Sequence, residues 1–163
     1  MERMDDFLID FNRTLDEAER RLAGVTAAQA ARPVEGGWSA QQILGHLIDS
    51  AANNHQRFVR AQFTDDLDFQ GYAQEQWVLA QHYDTEPWPR LLGLWLAYNR
   101  HLAHVVAGIA PETLSQPRAR HSLDRIAWHT VPADQPATLE YLIRDYLGHL
   151  QEHVAQLVAA LAG

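Results

Sequence analysis

The chain of 163 residues is 47% hydrophobic, carries a formal net charge of −8 and contains no cysteine. Its length can bury a substantial core, with one domain over 1–163 as the expectation, and its acidic balance excludes a surface built to neutralise phosphate backbones, so DNA and RNA are not expected partners. Without thiols there are no disulfides, thiolate ligands or cysteine nucleophile, so any metal falls to imidazole, carboxylate or amide donors and the nine histidines become the residues to interrogate.

The N-terminal Met1-Glu-Arg-Met-Asp-Asp lacks the order of a signal peptide, and no stretch approaches the roughly 18 consecutive apolar residues that span a bilayer. The expectation is a soluble, cytoplasmic protein with no membrane partner. Residues 4–24 place Phe7, Leu8, Phe11, Leu15, Ala18 and Leu22 at the three-and-four spacing of an amphipathic helix. The stretch from Ala31 to Gly37 breaks it, and Gly36-Gly37 marks a turn. Ser39 then reads as an N-cap with Gln42 completing a capping box, while Trp38 and Ile43 stand where a hydrophobic staple closes. This second helix is expected to run to about Phe63, ending at the acidic turn Thr64-Asp-Asp-Leu-Asp.

A shorter helix is expected across Tyr72 to His82. Thr85-Glu-Pro-Trp then announces a long helix, with Thr85 as cap and Trp88, Leu91, Leu92, Trp95, Leu96, Leu102 and Val106 facing the core. Pro111, Pro117, Pro132 and Pro136 prevent a continuous helix, so 111–137 reads as loop with a short strand around Ser122 to Val131. Thr138 caps the last helix, whose stripe runs from Leu139 through Leu147 and Leu157 to Leu161. Four long helices joined by two long connections describe an all-α bundle with crossovers.

On the last helix His149 and His153 stand four residues apart, so their side chains rise from successive turns, roughly 6 Å apart at their origins. That spacing suits two ligands of one metal, but it also occurs on helices that bind nothing, so the pair needs a third partner. His46 is the candidate, beside Ser50, Asn53 and Arg57 in a polar stripe bordering the apolar one. Asp49 and Asn53 project near His46 and would line the same cavity, orienting a ring or a bound water. The run from His149 to His153 also spells H-x-x-E-H, the inverted zinc-protease signature. It reads as coincidence here, because no acidic ligand follows His153, although Glu152 stays a candidate general base acting through one water. His101 and His104 form a second possible pair on an otherwise ordinary polar face. His55, His82, His121 and His129 read as surface or loop residues.

Trp38-Ser39 with its cap, the run Gly45-His46-Leu47-Ile48-Asp49, and the terminal Gly148-His149-Leu150-Gln151-Glu152-His153 together resemble the DinB/YfiT-like superfamily over nearly the whole chain. The resemblance implies a four-helix bundle with long crossover connections. It also implies one divalent metal held by a histidine early in helix two and a His-xxx-His pair on the last helix, which map onto His46, His149 and His153. Neutral imidazoles suit zinc, nickel or iron and leave positions open.

A cation held by three neutral imidazoles keeps its full charge and lowers the pKa of a bound water or thiol. Relatives of this kind include enzymes that use low-molecular-weight thiols such as bacillithiol or mycothiol, and others named as metal-dependent hydrolases. The first expectation is therefore a metal-dependent S-transferase acting on a small-molecule substrate with a low-molecular-weight thiol. The alternatives are a metal-dependent hydrolase and a non-catalytic metal-binding module. The resemblance also implies a homodimer, for which an exposed apolar stripe on helix one would serve.

Overall fold

The helices form where the apolar period demands them, and their caps sit where the short polar residues are. The computed structural model describes residues 3–34 and 37–162. Helix α1 spans Met4–Leu22, with Asp5 and Asp6 in its first turn and Arg20 and Arg21 in its last, the signs that the helix dipole favours. Its stripe of Phe7, Phe11, Leu15, Ala18 and Leu22 is buried, so it belongs to the core and is not the exposed face expected to serve pairing. A short helix α2, Ala27–Ala30, follows with its own capping box between Thr26 and Gln29. Gly37 takes φ +90°, as a turn glycine can, whereas Gly36 lies outside the described residues.

Helix α3, Ala40–Arg60, begins with the expected box: Gln42 N–H donates to Ser39 Oγ at 3.2 Å and Ser39 N–H to Gln42 Oε1 at 3.0 Å. Helix α4 covers Gln74–Ala80, and a 3-10 turn covers Tyr83–Thr85. Helix α5 runs Trp88–Ala107, and here the expected cap is wrong. Thr85 Oγ1 donates to His82 O at 2.9 Å instead of accepting from the helix, and Pro87 occupies the cap position. Helices α6 (Pro111–Ser115) and α7 (Leu123–Ile126) interrupt the long connection before α8, Leu139–Leu161, whose Thr138 Oγ1 accepts from Tyr141 N–H at 3.1 Å.

Helices α1 and α3 each pack against α5 and α8. Consecutive long helices α1 and α3 therefore lie across the bundle from one another, as do α5 and α8, and their connections cross its ends. This is the four-helix bundle with long crossovers that the sequence implies.

The strand expected around Ser122 to Val131 does not form; the described residues contain isolated bridges and no strand. Side chains hold this segment instead of a ladder. Arg118 is buried and donates to Thr64 O at 2.7 Å and Ala61 O at 3.3 Å, satisfying carbonyls at the end of α3. Ser122 Oγ accepts from Phe69 N–H at 2.8 Å. His121, expected at the surface, is buried: its ring meets Gln135 O at 2.7 Å and accepts from Leu123 N–H at 3.1 Å. A polar residue in a proline-rich segment looks exposed in sequence, yet the segment needs such groups because its backbone has few partners of its own.

Two glycines stand immediately before histidines, and both admit an aromatic ring. A Cβ on Gly45 would lie 2.1 Å from Tyr83 Cδ2, and one on Gly148 would lie 3.2 Å from Trp128 Cζ3. Tyr83 is 4% exposed and its hydroxyl donates to Asp49 Oδ1 at 2.7 Å, so it cannot move aside freely. Gly45→Ala is expected to lower stability by about 1–3 kcal/mol through overpacking, even though alanine is the better helix former. Urea denaturation measures this, and an unchanged midpoint would mean that the Tyr83 ring is not held as tightly as its contacts imply.

Candidate metal centre

His46 enters from the early turns of α3, and His149 and His153 from successive turns of α8, where the two helices pack together. Each ring offers one nitrogen within 4.8 Å of the others. The Nε2 atoms of His149 and His153 are 3.0 Å apart. Two nitrogens sharing one tetrahedral cation at about 2.1 Å each stand about 3.4 Å apart, so this pair is already near ligand spacing. The His46 ring meets His149 at 5.6 Å and His153 at 5.2 Å between centroids, close to edge-on in both cases. Among the described residues this is the group of three histidine or carboxylate side chains that converges on one point.

Burial pushes the pKa of His46 down to about 4 and that of His149 down to about 3, with the neighbouring rings adding to the effect. Burial also lowers His153, partly offset by its hydrogen bond to Gln156 and the charge of Glu152. All three rings are thus neutral near pH 7, which is the form that binds metal. His46 Nδ1 is buried and has no hydrogen-bond partner among the described residues. A buried ring with an unpartnered nitrogen, converging with two other imidazoles, fits a set of donors for a cation better than it fits a packed core.

The rings are positioned by neighbours. His153 Nδ1 lies 3.0 Å from Gln156 Oε1, which accepts its N–H and leaves the Nε2 lone pair on the side of His149. Sequence reading missed Gln156, although its place three residues beyond His153 is a helical-neighbour signal. Trp38 packs against His46 at 5.3 Å and Trp128 against His149 at 5.8 Å between ring centroids.

The remaining expected site residues lie elsewhere. Asp49 is buried, but its Oδ1 accepts from Tyr83 and from Gln81 Nε2, both at 2.7 Å, and it makes no hydrogen bond to the triad. Burial raises its pKa against those two bonds. Asn53 donates to Asp49 O at 2.9 Å on its own helix and lines a cavity with Gln56, Arg60 and Trp77, away from the three rings. Asn54 is the amide that joins Ser50 and Arg57 beside His149, because the buried face of α3 is centred on the line through Leu47, Asn54 and Phe58. Glu152 is exposed and reaches His153 through its charge alone, so it is not placed as a base. His101 and His104 are exposed with ring centroids 6.2 Å apart, and His55 meets His101 at 5.3 Å while its Nδ1 bonds the Tyr98 hydroxyl at 3.0 Å. His82 and His129 are exposed as expected.

A cavity of about 360 Å³ opens beside His149, walled by α3, by α8 and by the connections that carry Tyr72 and Trp128. That volume suits a small organic molecule. Among the described residues no helix is long and apolar enough to cross a membrane.

The sequence profile of the DinB superfamily matches residues 10–157. No curated protein sequence matches the chain. Among solved structures it is similar to YfiT from Bacillus subtilis, described as a probable metal-dependent hydrolase with an unusual four-helix bundle topology. The two share 18% identity at a TM-score of 0.79, over 96% of this chain and 85% of that one.

Two outcomes follow from the geometry. Purified protein is expected to hold stoichiometric divalent metal, His153→Ala to lose it without loss of helix content, and Gln156→Leu to weaken affinity about 10- to 100-fold; elemental analysis and circular dichroism check this. For the metal-free protein, the unfolded rings titrate near 6.5 and the folded His46 and His149 near 4 and 3. Below pH 6.5 the unfolded chain binds protons first, so stability is full above that value and falls as acid passes through the window down to about 4 and then about 3. Melting temperature against pH measures it, and a His46→Gln/His149→Gln variant should show a shallower decline.

Proposed function

The chain belongs to the DinB superfamily, and from its convergent neutral imidazoles we propose that it is an enzyme that holds one divalent cation with His46, His149 and His153. We further propose that it transfers a low-molecular-weight thiol to an electrophilic substrate seated in the adjoining cavity. When bound, the cation supplies Lewis acidity that makes a thiol give up its proton near neutral pH.

The observation that carries the thiol reading is the absence, among the described residues, of an acid or base hydrogen-bonded to the triad. Asp49 Oδ1 is taken by Tyr83 and Gln81 while its buried Oδ2 bonds nothing among the described residues, Glu152 is exposed, and Asp145 accepts the backbone N–H groups of Trp128 and His129 at 2.7 and 2.8 Å. Metal-assisted hydrolysis ordinarily draws on a carboxylate base to take a proton from water. A thiol, more acidic than water, needs no such base: its proton would pass to solvent as sulfur bonds to the electrophilic carbon and the bond from that carbon to its leaving group breaks, the leaving group departing with the electron pair. With no cysteine in the chain, the sulfur arrives with the cosubstrate. The chain's own part is to fix three donors, present the substrate through the cavity and limit water by packing Trp38 and Trp128 against the rings.

Hydrolysis is the second reading, favoured by the description of YfiT. Metal-loaded protein is expected to accelerate conjugation of a glutathione-like thiol with an activated aryl halide, and chelator is expected to abolish the rate. Turnover of an ester and amide panel with no thiol conjugation would transfer the assignment to the hydrolase reading.

A further inference from the structure

Arg57 is 5% exposed, and among the described residues no carboxylate lies within ion-pair reach of it. Its hydrogen bonds go to neutral acceptors: Nη2 donates to Gln70 O at 3.0 Å and Nη1 makes a long contact of 3.5 Å to Asn54 Oδ1. Burying a guanidinium without a counter-ion is costly, and such a charge inside a protein commonly faces an anion that arrives with a ligand. Arg57 lines the cavity that also exposes His149, together with Ser50, Asn54, Tyr72 and Trp128.

The other charged side chains of the cavity already have their own partners. Arg125 meets Asp124 at 3.4 Å and Asp68 at 3.7 Å. Asp145 accepts the Trp128 and His129 amides. Among the described residues Arg57 is therefore the cavity's guanidinium with no ion-pair partner, and its single charge matches a single carboxylate better than a doubly charged phosphate. The planar fork of a guanidinium suits a carboxylate in the same way.

We propose that this cavity binds a small organic carboxylate, held by Arg57 with the Tyr72 hydroxyl beside it, the remainder of the molecule lying along Trp128 toward His149. Eleven residues of α3 separate His46 from Arg57, about 16 Å along the axis, and the two side chains close part of that span. What is left accommodates a molecule about the size of an aromatic acid. The direction toward His149 rests on the metal-centre reading; the carboxylate subsite itself does not.

The test titrates the full chain, metal-loaded and chelator-treated, with benzoate, its neutral isostere benzamide and inorganic phosphate, by calorimetry. Benzoate is expected to bind both forms, about tenfold or more tighter than benzamide and tighter than phosphate. Arg57→Gln should erase the preference for benzoate, and Arg57→Lys should keep part of it, both with metal content unchanged. If Arg57→Gln does not fold, Tyr72→Phe replaces it, with an expected several-fold loss for benzoate and none for benzamide. Equal affinity for benzoate and benzamide in the chelator-treated protein overturns the proposal, as does phosphate binding tighter than benzoate. Benzoate binding by a protein that takes up no metal would sink the metal-centre reading and leave the carboxylate subsite standing.

Discussion

Three imidazoles can share the seam between α3 and α8 only while they are neutral, because burial makes each added positive charge costly and the rings stand too close to carry more than one. A cluster of neutral nitrogen lone pairs turned toward one another is in turn poorly satisfied by the protein alone. His46 Nδ1 has no partner, and the His149 and His153 Nε2 atoms face each other at 3.0 Å. A divalent cation would suit such a cluster, since it attracts lone pairs that repel one another and requires the protonation state that burial already imposes. The rest of the bundle serves this one convergence. The leucines of α8 and the apolar face of α3 bury together, and that packing brings His46 beside two residues more than a hundred positions further on.

The helices and their histidines were legible because their signals are local. Apolar period, the Ser39 and Thr138 caps and the four-residue spacing of His149 and His153 each need one turn or two of chain to be seen. The misreadings occurred where the answer depends on distant partners. Thr85 looks like a cap until His82 takes its hydroxyl, and His121 looks like a loop residue until Gln135 and Leu123 close around its ring. On a wheel Asn53 falls about 20° from the His46 direction and Asn54 about 80°, so the projection favours Asn53. The projection is overridden by the side on which Leu47 and Phe58 are buried, which is the side of Asn54.

Helices and connections divide the work of the site. The donors come from α3 and α8, long elements whose backbone hydrogen bonds keep them fixed. The walls come largely from the crossovers, with Tyr72 before α4 and Trp128 after α7. Those crossovers are long because the bundle places consecutive helices on opposite sides, and their length provides the chain that closes over the cavity. Gly45 and Gly148 join the two parts, since each removes a side chain where a crossover aromatic must approach a helix beside a triad histidine.

This division explains why a shared bundle does not fix a shared reaction. A neighbour 18% identical keeps the helix arrangement over 96% of this chain. Connections tolerate change far better than packed helices do, so two such proteins can retain one architecture while their cavities recognise different molecules. The chemistry of this chain is therefore written in its own walls. Among the described residues Arg57 has no ion-pair partner in this cavity, and Asp145 is bonded to the Trp128 and His129 amides, in a molecule of net charge −8. On the carboxylate proposal, an anion is repelled by most of this surface and attracted beside Arg57. The proposed metal centre and the proposed carboxylate subsite would then be held in fixed relation, since the helix that supplies His46 also supplies Arg57.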